Sequence, residues 1–180
     1  YDTIGNYGNQ SRTIHIGVDF WLQENTPVHA LFDGEVVIVE NDIGDKEYGG
    51  LVVLKHQQKD FCFYTLYGHN TAQSVLKHKL GAIIKKGAQV AALANYPENG
   101  NWAPHLHFEI TLSLLDYKTD FPGVAYFNQI EVWKSLCPDP NLLFKLEGFK
   151  ENLIDVSEDI LTDRKKHLGK SLSLQYQKPL

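Results

Sequence analysis

A mainly β domain, with antiparallel sheets folded as a sandwich or partial barrel, is what this sequence of 180 residues predicts. Three observations carry that reading. Short runs rich in β-branched and aromatic residues recur between residues 12 and 112. Glycines punctuate them at Gly49-Gly50, Gly81, Gly87 and Asn99-Gly100, where turns are expected. The hydrophobic fraction of 43% and charged fraction of 22% suit a folded domain with one continuous core rather than a disordered chain.

The elements follow in order. Residues 12–22 (RTIHIGVDFWL) form the first β-rich run. Residues 27–41 (PVHALFDGEVVIVEN) hold two extended runs meeting at Asp33-Gly34, a dipeptide that signals a hairpin. GGLVVLKHQ, FCFYTLYGH and AQVAALA are further strands, and PHLHFEITL is the last clear one. Residues 128–136 suit a short helix stopped before Pro138, and CPDPN is a turn-rich connector. Asp155 to Glu158 resembles a capping box, and Arg164, Lys165 and Lys166 precede Gly169, so a helix is expected over 156–168. The chain is accordingly divided into residues 1–145, with a β core at 12–112, and a helical linker at 146–180 that opens a following domain.

Composition narrows the function. The net charge of −5 is mild and spread out, with no basic stripe for nucleic acid. No apolar run is long enough to span a bilayer. The opening residues lack the charged-then-apolar pattern of a signal peptide, and the absence of any Met marks the sequence as a mature form or an excised piece. Cys62 and Cys137 do not make a disulfide framework; Cys62 reads as a free, buried thiol.

Three short segments carry chemistry. His105-Leu106-His107 lies in a strand, so alternation turns both histidines to one face and Leu106 and Phe108 to the core. Two imidazoles on one face suit a metal site or a proton-transfer pair. His15-Ile-Gly-Val-Asp19 pairs an imidazole with a carboxylate, both ligands for zinc. On a straight strand their Cα atoms would stand roughly 13 Å apart, so joint ligation needs a bend, and Gly17 is the residue able to supply it. Tyr67-Gly68-His69-Asn70 closes a strand and enters a loop, where functional side chains are often displayed.

HIGVD, YGHN and PHLHFEI, in this order, resemble the M23 family of zinc endopeptidases, the lysostaphin-like and LytM-like enzymes. TPVHALFDGEVV and KKGAQVAALAN also match the family's intervening stretches. The resemblance covers residues 12–112 and implies a LytM-like fold built on a duplicated hybrid motif. It implies further that His15, Asp19 and His107 bind Zn²⁺ and that His69 and His105 are the catalytic histidines that do not. Which of those two is the general base stays open. The substrate class implied is a peptide of the peptidoglycan or glycine-containing kind, met in the periplasm or outside the cell. His29, His56, His78 and His167 match no motif and read as structural or exposed. Glu109 shares the parity of His105 and His107 and reads as an ordinary strand-end charge, with support of the ligands as the alternative. Tyr67, Asn70, Asn101 and Trp102, with the loops at 42–48 and 96–102, are candidates to line the groove.

The tail, DRKKHLGKSLSLQYQKPL, is similar to the opening of class III aminotransferases. That likeness implies a fused aminotransferase partner and a cytoplasmic parent protein. Two other readings remain: a zinc-binding domain acting on another small ligand within such a fusion, and a carrier-like β-barrel module of the lipoyl or biotinyl sort, to which DGEVVIVEN and KKGAQVAALA are also similar.

Overall fold

Gly17 divides the first β-rich run in two. It sits at φ +96°, and a Cβ there would fall 2.5 Å from the Phe108 carbonyl oxygen, so no other residue fits the bend. Before it runs β1 (Arg12–His15) and after it β2 (Val18–Trp21). The structure, a computed structural model, describes residues 12–147. The chain divides into two units, Tyr1–Lys145 and Leu146–Leu180. The helix expected over 156–168, His167 and the aminotransferase-like tail lie outside the described residues.

Eight more strands follow among the described residues: β3 (Pro27–His29), β4 (Gly34–Asp42), β5 (Gly49–Gln58), β6 (Phe61–Asn70), β7 (Ile83–Ile84), β8 (Gln89–Ala92), β9 (His105–Thr111) and β10 (Val124–Tyr126). A single turn of helix, α1 (Ala72–Val75), is capped by the Thr71 side chain, which accepts from the Ser74 amide. α2 (Ile130–Leu136) follows a 3₁₀ turn at Phe127–Gln129, where a short helix is expected, and α3 (Asn141–Phe144) is one further turn. Among the described residues no helix is long and apolar enough to cross a membrane.

The main sheet has six strands in the order β2-β9-β6-β5-β4-β7. β1 pairs with β10 and β3 with β8 as separate two-stranded sheets, and every pairing is antiparallel. Both faces of the main sheet are covered. Val36, Val52, Leu54, Tyr67, Phe108 and Ile110 pack on one side; Ile38, Leu51, Val53, Leu66 and Phe121 pack on the other. That is why β5 reads as an unbroken apolar run rather than an alternation. A register shift between Val36 and Ile38 sends these two residues, two apart, to opposite clusters.

The hairpin expected at Asp33-Gly34 does not form. β3 leaves for β8, while β4 pairs with β5 and β7. The Asp33 carboxylate instead accepts from Lys85 Nζ at 2.7 Å and the Lys86 amide at 2.8 Å, tying two connections together. Gly34 serves close approach: a Cβ there would meet the His56 ring at 2.7 Å. Both cysteines are free and only partly buried, so Cys62 is less buried than expected; its strand position leaves it half covered.

Candidate active site

Cross-strand register assembles the centre. Along β2 and β9, Asp19 stands opposite His107 and Trp21 opposite His105, while Val18 and Phe20 pair with Phe108 and Leu106 on the core face. The alternation expected for the two histidines is therefore realised. His15 arrives from β1 across the Gly17 bend, which is held by the Ile16 amide donating to the Gly123 carbonyl at 2.9 Å.

The result is a triangle of donor atoms. His15 Nε2 lies 3.0 Å from His107 Nδ1 and 3.1 Å from Asp19 Oδ1, and the last two are 3.1 Å apart. The two rings meet edge to face, 4.8 Å between centroids. Three ligands bound tetrahedrally at about 2.0–2.1 Å would hold their donor atoms about 3.3 Å apart, so the triangle is within a few tenths of an ångström of a zinc-sized cradle. The donor chemistry, two imidazoles and a carboxylate with a fourth direction open to a groove, suits a divalent ion. Burial opposes ionisation of Asp19, but the adjoining His107 and His15 imidazoles outweigh it and hold the carboxyl well below its usual range.

His69 and His105 flank this triangle with ring centroids 4.3 Å apart. His105 Nδ1 donates to the Ala103 carbonyl at 2.7 Å and His69 Nδ1 to the Asn99 carbonyl at 3.0 Å. With Nδ1 so engaged, each neutral ring keeps its lone pair on Nε2. His105 Nε2 is 3.9 Å from Asp19 Oδ1. His69 is the last-but-one residue of β6 and sits at φ +63°, a conformation that side chains other than glycine rarely adopt. Its amide donates to Tyr48 O and its carbonyl accepts from the Ala94 amide, which pins the strained residue on both sides. Burial, reinforced by the charges His105 and His107 would carry, pushes the His69 imidazole down to about 3, and burial likewise lowers His105. Both rings are held neutral.

The groove over the centre is lined by Trp21, Tyr48, Trp102 and the segment from Asp120 to Val124, with Lys46, Glu47 and Arg12 at its edge. Trp102 is where the sequence places it, as are the ends of the two candidate loops. The other three candidates are not in the groove. Tyr67 is buried in the core, Asn70 is buried and donates to Tyr67 O and Gly50 O, and Asn101 bonds Asp45 outside the groove. Sequence reading missed Trp21 and residues 120–124. A Pro122-Gly123 turn followed by Val-Ala-Tyr was the available signal for the last, since it marks the strand that pairs with β1.

The remaining histidines divide as expected where described. His56 is buried with both ring nitrogens bonded, His78 Nε2 bonds the Val90 carbonyl, and His29 is exposed. Glu109 departs from expectation. It is 1% exposed, not a strand-end charge, because α2 and the residues after it cover that end of β9.

The sequence profile of peptidase family M23 matches residues 13–117. A Haemophilus influenzae protein described as an uncharacterized metalloprotease is 34% identical over 99 residues, covering 55% of this chain and 19% of that protein. The lipoprotein YgeR of Escherichia coli is 30% identical over 94 residues, 52% of this chain and 33% of that one. The chain thus spans a third or less of the length of these relatives. Among solved structures, the catalytic domain of the prophage-encoded M23 protein EnpA from Enterococcus faecalis is similar at 25% identity and a TM-score of 0.46, covering 67% of this chain and 82% of that one. The peptidase lysostaphin of Staphylococcus simulans is similar at 24% identity and a TM-score of 0.43, covering 67% and 44%. The family profile stops well short of the tail, and none of these relatives supports its likeness to aminotransferases. With the profile spanning more than half of the chain and all three of its histidine- and aspartate-bearing motifs, the chain belongs to peptidase family M23 and its β domain is of the metallopeptidase kind.

Proposed function

We propose that this domain is a zinc-dependent endopeptidase acting on peptides of the peptidoglycan or glycine-containing kind. The observation that carries the reading is the donor triangle with edges of 3.0–3.1 Å beside two buried imidazoles. His15 Nε2, Asp19 and His107 Nδ1 are the ligands. Bound there, zinc supplies Lewis acidity and brings the pKa of a water that reaches it toward neutrality.

The chain's own residues do the rest. The ionised Asp19 accepts cation charge without needing to lose a proton first. His69 and His105, kept neutral by burial and anchored at Nδ1, are ready to accept a proton at Nε2 and to return it to the leaving amine. Having taken a proton, either ring becomes a donor toward negative charge developing on the scissile carbonyl oxygen. Trp21, stacked on His105 with centroids 4.6 Å apart and 63% exposed, and Trp102 form the apolar walls against which an extended peptide lies. The peptidoglycan class rests on membership of the family; the groove's mixed lining of aromatic, acidic and basic groups does not choose among peptides.

The test is cleavage of a panel of wall-derived and oligoglycine peptides by the chain after zinc loading, with His105→Ala as the control. Cleavage by the wild type that is lost in the variant supports the reading. A zinc-loaded protein inert toward every peptide would leave the alternative, a zinc-binding domain for another small ligand, as the better one.

A further inference from the structure

The histidines of the centre differ in what holds the nitrogen pointing away from the chemistry. For His69 and His105 it is a backbone carbonyl. For His107 it is neither carbonyl nor water-exposed: Nε2 is buried, has no hydrogen-bond partner, and looks at Glu109 Oε2 from 3.6 Å. Both Glu109 oxygens are likewise buried and without a hydrogen bond. Two buried polar groups that each want a partner therefore face one another, at a distance about 0.6 Å beyond an ordinary N–H···O bond.

The surroundings say why the carboxylate is there. Glu109 lies two residues beyond His107 on the same face of β9, and the Gly17 bend packs on it, since a Cβ at Gly17 would come within 3.2 Å of Glu109 Cβ. The Cys137 thiol, just past the end of α2, neighbours its carboxyl. The residue is thus enclosed by three parts of the chain, with His107 the imidazole beside it.

We propose that Glu109 is the positioning residue of the metal centre: it accepts the Nε2 proton of His107, and so fixes Nδ1 as the atom that faces His15 Nε2 and Asp19. A neutral imidazole has one proton and one lone pair. If the proton sat on Nδ1, the ring would present a donor to the cradle and could not ligate. A carboxylate behind Nε2 selects the other tautomer, holds the ring plane and makes Nδ1 more basic. This inference rests on the zinc reading above and goes beyond it by naming the group that makes His107 a ligand.

The experiment is zinc affinity of the full chain, measured by competition with a chromogenic chelator, for wild type, Glu109→Gln and Glu109→Ala. Loss of the acceptor is expected to weaken binding about 10- to 100-fold in Glu109→Ala. Glu109→Gln, whose amide oxygen still accepts the proton but lacks the charge, is expected to lie between. An affinity in Glu109→Ala within twofold of wild type would overturn the proposal, as would equal loss in both variants accompanied by equal loss of metal-free thermal stability, the mark of a merely structural role. A second readout needs no variant: nitrogen NMR of the zinc-loaded wild type should show His107 protonated at Nε2, and protonation at Nδ1 overturns the assignment. Wild-type chain that binds no zinc would sink the metal reading and this inference with it, whereas unchanged affinity in Glu109→Ala would sink the inference alone.

Discussion

Two groups of buried histidines sit in the same sheet and behave differently. His56, on β5, is 2% exposed; its Nδ1 donates to the Asp33 carbonyl at 2.8 Å and its Nε2 meets Thr65 Oγ1 at 2.7 Å, with Thr65 passing the chain on to Tyr67. Both of its nitrogens are consumed. His69, His105 and His107 are as deeply buried, yet each has one nitrogen turned to a support and the other released toward a shared centre. Burial alone therefore does not separate the two groups. What separates them is whether the second nitrogen converges with donors from other strands.

The sharpest way to break the comparison is to remove a proposed ligand from the convergent group. Asp19→Ala or His107→Ala should take zinc content from about one per chain to near zero by elemental analysis, with peptide cleavage lost. His56→Ala should leave zinc content and cleavage intact; loss of metal there would mean the two groups are not distinct. Next come the flanking pair. His69→Ala and His105→Ala should retain zinc while turnover falls about 10²- to 10⁴-fold, read from kcat on a cleavable peptide. Loss of zinc in both would move them into the ligand set.

A third prediction concerns the bend that lets β1 join β2. Gly17→Ala combines a positive φ with a collision against the Phe108 carbonyl oxygen, so it should cost more than about 1 kcal/mol in urea unfolding of the metal-free chain and weaken zinc binding as His15 is displaced. Unchanged stability and affinity would show that the bend is not what brings His15 in.

The smallest effect belongs to His56 itself. His56→Ala leaves buried partners without their bonds and should lower stability by about 1–3 kcal/mol. Burial lowers the His56 pKa from its ordinary 6.5, so as the pH falls the unfolded chain binds a proton before the folded chain does. Its contribution to stability is thus complete above pH 6.5 and declines below it, with a slope of at most about 1.4 kcal/mol per pH unit for one proton. Chemical unfolding from pH 7 to 5 should show a shallower decline in His56→Gln than in wild type. Identical slopes would mean that His56 takes up its proton in the folded state.

Much of this was legible in the residues, and the gaps have identifiable causes. Strand alternation put His105 and His107 on one face and gave the need for a bend at Gly17, because both follow from the geometry of a single chain segment. Asp33-Gly34 misled because its turn chemistry is real but is spent elsewhere: the carboxylate binds the Lys85-Lys86 segment and the glycine makes room for His56. Tyr67 and Asn70 look like groove residues in a strand-end motif, yet Tyr67 packs into the apolar cluster with Phe108 and Asn70 is drawn inward by the backbone carbonyls of Tyr67 and Gly50. Glu109 had the correct parity and the wrong environment in prospect, since parity says which face a side chain takes and nothing about what covers that face.

The sequence by itself determined the short β-strands, the order of the histidine- and aspartate-bearing segments and the glycine at which the first run turns. These depend on local sterics and on periodicity, which neighbouring residues settle among themselves. Only the tertiary structure decided that β3 pairs with β8 rather than β4, that residues 120–124 wall the groove, and that a carboxylate faces the far side of His107. Those features depend on which strands become neighbours across gaps of tens of residues, a choice made by the burial of both sheet faces at once and carried by no single stretch of chain.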